Sequence, residues 1–372
     1  MKISLKRTPE QLELIKAMAS KNRSVAYEAQ VALAEFIGPV IAEVINNAPV
    51  LSNLFTPLQF NSEDNPSIPL DLYYDVTDED YVNVYSTSVA GGLPQNQVVP
   101  TVSELKVATY SLDTAVSFDR RYAAKSRMDV ISKTFTRMAQ EILLKQERTS
   151  ANLIMGAVAA ASTNGKDHVF RATTDGAFLL DDFNNLITRA KRINTAWNKG
   201  TPEGGRRGIT DLIVSPEAVK SLREMAYNPI NTRGTDDIAG TDGIRESVYN
   251  AGGGLPDFYG VSIMEVNELG VGQKFNTIFD TVAGATSYAK ADGTAGAGFD
   301  PNADEIMLGL DRGRDSLIKA IAVDEENGSE FNLIADDQYS IRQSKIGWFG
   351  GIEEGRMVLD NRALAGIVAN GL

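Results

Sequence analysis

Residue types that carry acid–base and nucleophilic chemistry are scarce in this chain. It has no cysteine, and His168 is the single histidine in 372 residues. Thiolate nucleophiles, disulfides and zinc sites built from sulfur and imidazole are therefore excluded. His168 stands in NGKDHVF, where a polar stretch meets a short apolar run, and reads as an ordinary surface or loop histidine. Asp167 beside it makes no triad, because a triad is an arrangement in space and not an adjacency in sequence.

Carboxylates are plentiful, at Asp78-Glu79-Asp80, Asp236-Asp237, Asp300 to Asp304, Asp324-Glu325-Glu326 and Asp336-Asp337. Oxygen clusters of this kind suit divalent cations. None has the spacing and glycine of a calcium-binding helix–loop–helix, so they read as solvated loops. No pair stands out as the acid and base of a hydrolase. Gly270 to Phe275, GVGQKF, lacks the order of a phosphate loop, and Ala251 to Pro256 follows a polar loop and not a buried strand. Arg206 and Arg207 in GTPEGGRRG are too few to mark a nucleic-acid face, and no basic and aromatic array forms a stacking platform. No cofactor and no metal follow from these residues.

Charge is distributed more informatively. The chain carries −13 at neutral pH, which disfavours generic nucleic-acid binding. Between Asn61 and Arg120 two basic residues face ten acidic ones, whereas Arg121 to Ala160 has seven basic and three acidic. Tyr73, Tyr74, Tyr81 and Tyr85 crowd the acidic tract. They either pack on the helices before it or enter a partner, a role tyrosine suits because its ring buries area while its hydroxyl keeps a polar contact. No run approaches eighteen apolar residues, and the N-terminus has no cleavage pattern, so neither a membrane span nor a secretory signal is expected.

The length and the 43% hydrophobic composition suffice for two or three structural units. Thr8, Pro9 and Gln11 start a first helix as cap, first-turn proline and capping-box partner. Ser24 caps a second, with Ala26, Ala29, Leu33, Phe36 and Ile37 at helical spacing, and Gly38-Pro39 bends or ends it. Short strand patterns follow at SIPLDLYYD, YVNVYST and NQVVPTV. LKVATYS and DTAVSFD read as a strand pair about Leu112-Asp113. A helix over Arg127 to Ala160 would extend roughly 50 Å; it either breaks in the polar KQERTS segment near Thr149 or runs through as a strut, the reading preferred here. Beyond it, Asp181 caps a helix and ITDLIVSPEAVKSL switches from strand to helix at Ser215-Pro216. Asn231 to Pro256 reads as a long surface loop. Strands are expected at VSIMEV, NTIFDTV, EIMLGLD, FNLIAD, YSIRQSKIGWFG and ALAGIVA.

This order of elements resembles the major capsid protein of tailed bacteriophages, the Hong Kong 97-type fold, with Gly347-Trp348, Val358 and Asn361-Arg362-Ala363 like the family's ending. The resemblance implies an α+β fold: an N-terminal arm over 1–62, an extended hairpin loop over 63–102, and a peripheral domain over 103–180 with its spine helix at 127–160. An axial domain over 181–324 follows, with a return to the peripheral domain over 325–372. It implies pentamers and hexamers of the chain tiling an icosahedral shell around double-stranded DNA, in a virion assembled in host cytoplasm. Portal, decoration proteins and non-specific proximity to DNA come with it. No catalysis is implied. A tail or other self-associating virion protein, and a carboxylate-dependent hydrolase, are the alternatives. Intersubunit contacts are expected between Tyr73, Asp75, Asp78, Glu79, Asp80 and Tyr81 of the loop and Lys133, Arg137, Lys145 and Arg148 of the helix. The short helical start suggests no scaffold segment cleaved from the chain, hence a separate scaffolding protein.

Some members of that family crosslink neighbours through a loop lysine and an asparagine elsewhere. Asn61 to Leu105 contains no lysine, so no such isopeptide bond is expected despite candidates such as Asn361. Denaturing gels of intact particles should show a single monomer band, and a ladder of covalent multimers would refute this.

Overall fold

The computed structural model describes residues 8–47, 51–61, 64–69, 104–125, 128–163, 168–198, 208–231, 257–258, 260–323, 330–336 and 344–371. They form two compact units. The first comprises Met1–Ser67, Lys106–Ser150 and Ile318–Met357; the second comprises Ile68–Leu105, Ala151–Leu317 and Val358–Leu372.

The first unit begins with α1 (Pro9–Met18), which Thr8 caps by accepting the Gln11 amide at 3.4 Å. The reciprocal half of the capping box is not made, since Gln11 Oε1 is buried with no donor. Helix α2 (Arg23–Asn47) starts two residues earlier than expected, with Asn22 supplying the first carbonyl and Ser24 only donating to the Asn22 side chain. Pro39 does not end it. Glu35 and Pro39 lie on the exposed face, where the carbonyl that loses its partner is open to solvent, while Leu33, Ile37 and Ile41 hold the opposite face in the core. Over Arg23–Glu43 the helix is long and apolar enough in composition to cross a bilayer, yet this buried face serves a protein core.

The sheet of this unit contains β1 (Thr56–Asn61), β4 (Thr109–Asp119), β10 (Leu317–Val323), β11 (Asn332–Asp336) and β12 (Lys345–Val358). Its order is β1-β10-β12-β11, with β4 also on β12, and β1 runs parallel to β10. Strand β4 is continuous across Leu112-Asp113, where a turn was expected. Its alternation of Tyr110, Leu112, Thr114, Val116 and Phe118 on one face never breaks, and all eleven residues pair antiparallel with β12. A two-stranded sheet of β2 (Ser67–Pro69) and β3 (Glu104–Lys106) flanks the segment that was expected to project; YVNVYST and NQVVPTV lie outside the described residues.

After the short α3 (Arg120–Ala124), helix α4 (Met128–Thr163) runs unbroken through Thr149, so the strut is the form adopted. Ile131, Phe135, Met138 and Ile142 pack with Phe118 and Trp348 into the core that α1 and α2 also enter. Trp348 is its centre: its ring stands 5.3 Å from Phe118 and 5.2 Å from Phe135, and its indole N–H donates to the Gln30 carbonyl at 3.4 Å. Gly350, on the same face, leaves space for Phe331, whose Cζ would lie 2.5 Å from an added Cβ.

The second unit is built on six strands in the order β5-β13-β9-β6-β8-β7. These are β5 (Val169–Arg171), β6 (Asp211–Val214), β7 (Asp257–Phe258), β8 (Val261–Glu265), β9 (Asp304–Leu310) and β13 (Leu364–Asn370). Helices α5 (Leu180–Asn198) and α6 (Pro216–Asn231) cover one face through Phe183, Leu186, Val219 and Leu222. On the other face of β13 an added Cβ at Gly366 would stand 3.5 Å from Val158 of α4. Ser215 caps α6 as expected, accepting the Ala218 amide at 3.1 Å. For α5 the working carboxylate is Asp182 and not Asp181: buried, it accepts from the amides of Thr173 and Leu179, while Asp181 stays exposed. NTIFDTV is helical, not extended. It lies in α7 (Lys274–Ala283), because Phe275, Phe279 and Ala283 recur every four residues and all are buried.

Trp348→Ala should cost about 3–5 kcal/mol by emptying the meeting point of both aromatic contacts. Urea unfolding of the purified chain measures it.

Candidate functional site

The loop residues expected to make contacts, Tyr73, Asp75, Asp78, Glu79, Asp80 and Tyr81, lie outside the described residues. Their expected partners are all on α4. Lys133, Arg137 and Lys145 are exposed at four- and eight-residue intervals, with Glu141 occupying the place between. This ridge spans roughly 18 Å of helix. Arg148 departs from it: half-buried, it encloses its Nε where no described residue accepts.

The polar KQERTS segment meets a buried ionic cluster that the sequence reading missed. Glu354 is fully buried, and Arg356 donates to both its oxygens at 3.2 and 3.0 Å. Tyr110, its cross-strand partner on β4, adds a hydroxyl donor at 2.7 Å, and Gln146 of α4 adds an amide donor at 2.8 Å. Arg356 also reaches the Gln146 carbonyl and the Ser150 hydroxyl. Lys319 stands 3.8 Å from Glu354, so two cations share one carboxylate.

Arg356 holds the better geometry, which leaves Lys319 with the weaker attraction. Burial therefore pushes the Lys319 ammonium below its ordinary value, against the pull of Glu354 and with a further push from Arg356. Burial likewise raises the Tyr110 phenol, helped by the Glu354 charge and hydrogen bond. One cue was available: Ile346, Trp348, Gly350, Ile352, Glu354 and Arg356 share parity in one strand, so a reading of β12 as half-buried places both charges inside.

Two expectations about polar residues in the second unit are corrected. His168 is wholly buried, with Nδ1 2.8 Å from the Leu364 carbonyl oxygen, because it leads directly into the pairing of β5 with β13. The acids from Asp300 to Asp304 are not simply solvated. Asp304 is buried against Arg171, accepts from Asn370 at 2.7 Å and from the Asp300 amide at 2.9 Å. Glu305 is buried too and accepts from the Ser215 hydroxyl; burial pushes its carboxyl up, Ser215 opposes this, and Glu217 adds to it. Among the described residues no group of three or more histidine or carboxylate side chains stands ready for a metal ion.

Two surfaces leave large apolar groups in water. Val25, Phe36 and Val40 lie on the outer side of α2. On the outer face of the first sheet, Ile334 and Phe349 are exposed cross-strand partners in a groove of about 310 Å³ rimmed by Asp113, Glu330 and Glu353.

No protein-family model and no curated relative matches the sequence. Solved structures do match. The capsid of the cyanophage P-SCSP1u aligns over 87% of this chain and 89% of its own, at 12% identity and a TM-score of 0.50. The chain has the Hong Kong 97-type fold. The capsid of a native GTA particle covers 86% of the chain and 90% of its own, at 12% identity and a TM-score of 0.48. The SrpI encapsulin from Synechococcus elongatus PCC 7942 covers 87% and 86%, at 12% identity and a TM-score of 0.45. In this Hong Kong 97-type chain the buried cluster holds the perturbed groups of the first unit among the described residues, Tyr110 and Lys319.

Glu354→Gln should destabilise the chain by about 3–5 kcal/mol, since it leaves two buried cations without their counter-charge. Lys319→Met should cost under about 1 kcal/mol, because it removes the charge that burial disfavours. The pH dependence separates the two. Lys319 loses its proton in the folded chain before the unfolded one does, so unfolding binds a proton and wild-type stability rises with pH below the ordinary lysine value of 10.5. Lys319→Met should lack that rise in urea unfolding across the same alkaline window.

Proposed function

We propose that the chain is a capsid shell subunit, the major capsid protein of a tailed bacteriophage, and that it works by assembly without turnover. The observation that carries this reading is the agreement of fold with the cyanophage P-SCSP1u capsid over 87% of the chain. Apolar groups left in water on α2 and on the first sheet, which suit burial against further copies, support it.

In this reading the arm is 1–62, the extended loop 63–102, the peripheral domain 103–180 with 325–372, and the axial domain 181–324. Copies gather as pentamers and hexamers, close an icosahedral shell in the host cytoplasm and enclose double-stranded DNA. A separate scaffolding protein, a portal and decoration proteins complete the particle. The acidic loop of one copy, through Asp75, Asp78, Glu79 and Asp80, lies along the ridge of Lys133, Arg137 and Lys145 on a neighbour. Such pairs set register more than net affinity, because desolvation offsets much of their attraction. Many modest contacts around a closed surface then add up.

Electron microscopy of the purified full chain tests the assignment: closed shells are expected, and tubes, rings or only small oligomers would overturn it. Reversing Asp78 and Glu79 to lysine should cut shell yield by more than about tenfold, and adding Lys133→Glu with Arg137→Glu should restore it. Unchanged yield across a range of salt would remove the ridge from the account.

A further inference from the structure

Four cationic side chains converge where α1 hands over to α2, in a chain whose net charge is strongly negative. Lys21, Arg23, Arg120 and Lys345 line one cavity of about 160 Å³, and no carboxylate lines it with them. All four belong to the first unit. Like charges gathered around a hollow repel one another, and they stay cheap only while solvent or an anion fills the space.

The carboxylate opposite Lys345 is already committed. Asp119 faces Lys345 across β4 and β12, but its Oδ1 accepts the Arg121 amide at 2.9 Å to cap α3, and its Oδ2 stands 3.7 Å from Arg121 Nε. Arg120 spends two donors, Nε and Nη2, on the Ala19 carbonyl at 3.2 and 3.0 Å, which fixes its guanidinium and leaves three of its N–H groups. Among the described residues neither Lys21 nor Lys345 forms an ion pair. The start of α2 also borders the cavity and adds the positive end of a 25-residue helix.

Gln30 lines the same cavity and is 3% exposed; its side-chain oxygen is an acceptor without a donor, so it contributes no contact to an anion.

We propose that this cavity binds a phosphate group, either free in solution or carried on a nucleic-acid backbone. A tetrahedral oxyanion meets point charges from Lys21 and Lys345 and the remaining planar donors of Arg120, a donor set matched to phosphate and not to a hydrophobic ligand. The site does not depend on shell formation, so it can fail while the capsid reading stands, and the reverse also holds.

The test titrates inorganic phosphate, and separately a labelled DNA duplex of mixed sequence, into the full chain at low salt, by calorimetry and fluorescence anisotropy. Lys21→Gln combined with Lys345→Gln is the principal variant, since both residues reach solvent; its melting temperature and circular dichroism check the fold. Phosphate affinity in the millimolar range or tighter is expected, weakened at least about tenfold by the double substitution. If the duplex binds and the double variant loses it, the source is the backbone; if only inorganic phosphate binds and is lost, the source is free phosphate. Binding of neither ligand at millimolar concentration, or binding that the folded double variant retains in full, overturns the site.

Discussion

Every second residue of β12, from Ile346 to Arg356, faces the interior of the first unit, and that single parity must serve two unlike environments. Its first half delivers Ile346, Trp348 and Ile352 to an apolar core shared with α1, α2 and α4. Its second half delivers Glu354 and Arg356 to a polar one. A slip of one residue would send Trp348 to water and bring Phe349 and Glu353 inside, so the register with β4 is specified at both ends by different physics. The apolar end rewards burial, and the ionic end punishes error, because a displaced Glu354 leaves Arg356 and Lys319 buried without compensation.

That division explains the composition of α4. A helix of 36 residues packed on one apolar core would be expected to keep one apolar stripe throughout. It exchanges the stripe for Gln146, Ser150 and their neighbours where β12 changes character. Serine and threonine are tolerated there because their hydroxyls return to carbonyls one turn back, Thr149 to Lys145 at 3.0 Å and Ser150 to Gln146 at 2.8 Å. Glu147 then reaches away from the cluster to accept the Leu51 and Ser52 amides, tying in the chain that precedes β1.

Legibility in the sequence followed how local the determining physics is. The Ser215-Pro216 switch, the Thr8 cap and the strands at EIMLGLD and ALAGIVA depend on a few neighbouring residues, and they appear as read. Pro39 does not end α2, because its cost depends on which face of the helix meets water, which only tertiary packing decides. NTIFDTV was misjudged because its β-branched and aromatic content favours a strand, while the spacing of Phe275, Phe279 and Ala283 favours a helix. His168 and Asp304 looked wet by residue type and are dry by position. The α4 ridge was legible from charge alone, whereas the cavity beside Gln30 draws its four cations from positions 21 to 345 and has no local signature.

The pairing of β4 with β12 also has a consequence in time. Tyr110 and Glu354 are 244 residues apart, and Gln59 and Glu330 are 271 apart, so the first unit closes only over long stretches of intervening chain. At roughly 5–20 residues per second, a ribosome spends about 10–50 s between making Tyr110 and making its partner. Through that interval Leu33, Ile37 and Ile41 of α2 exist without the strand that covers them. Loop closure over such spans is slow even after release. The first unit therefore cannot finish its surface until Arg356 has been synthesised and docked, which leaves the apolar face of α2 uncovered until synthesis is nearly over.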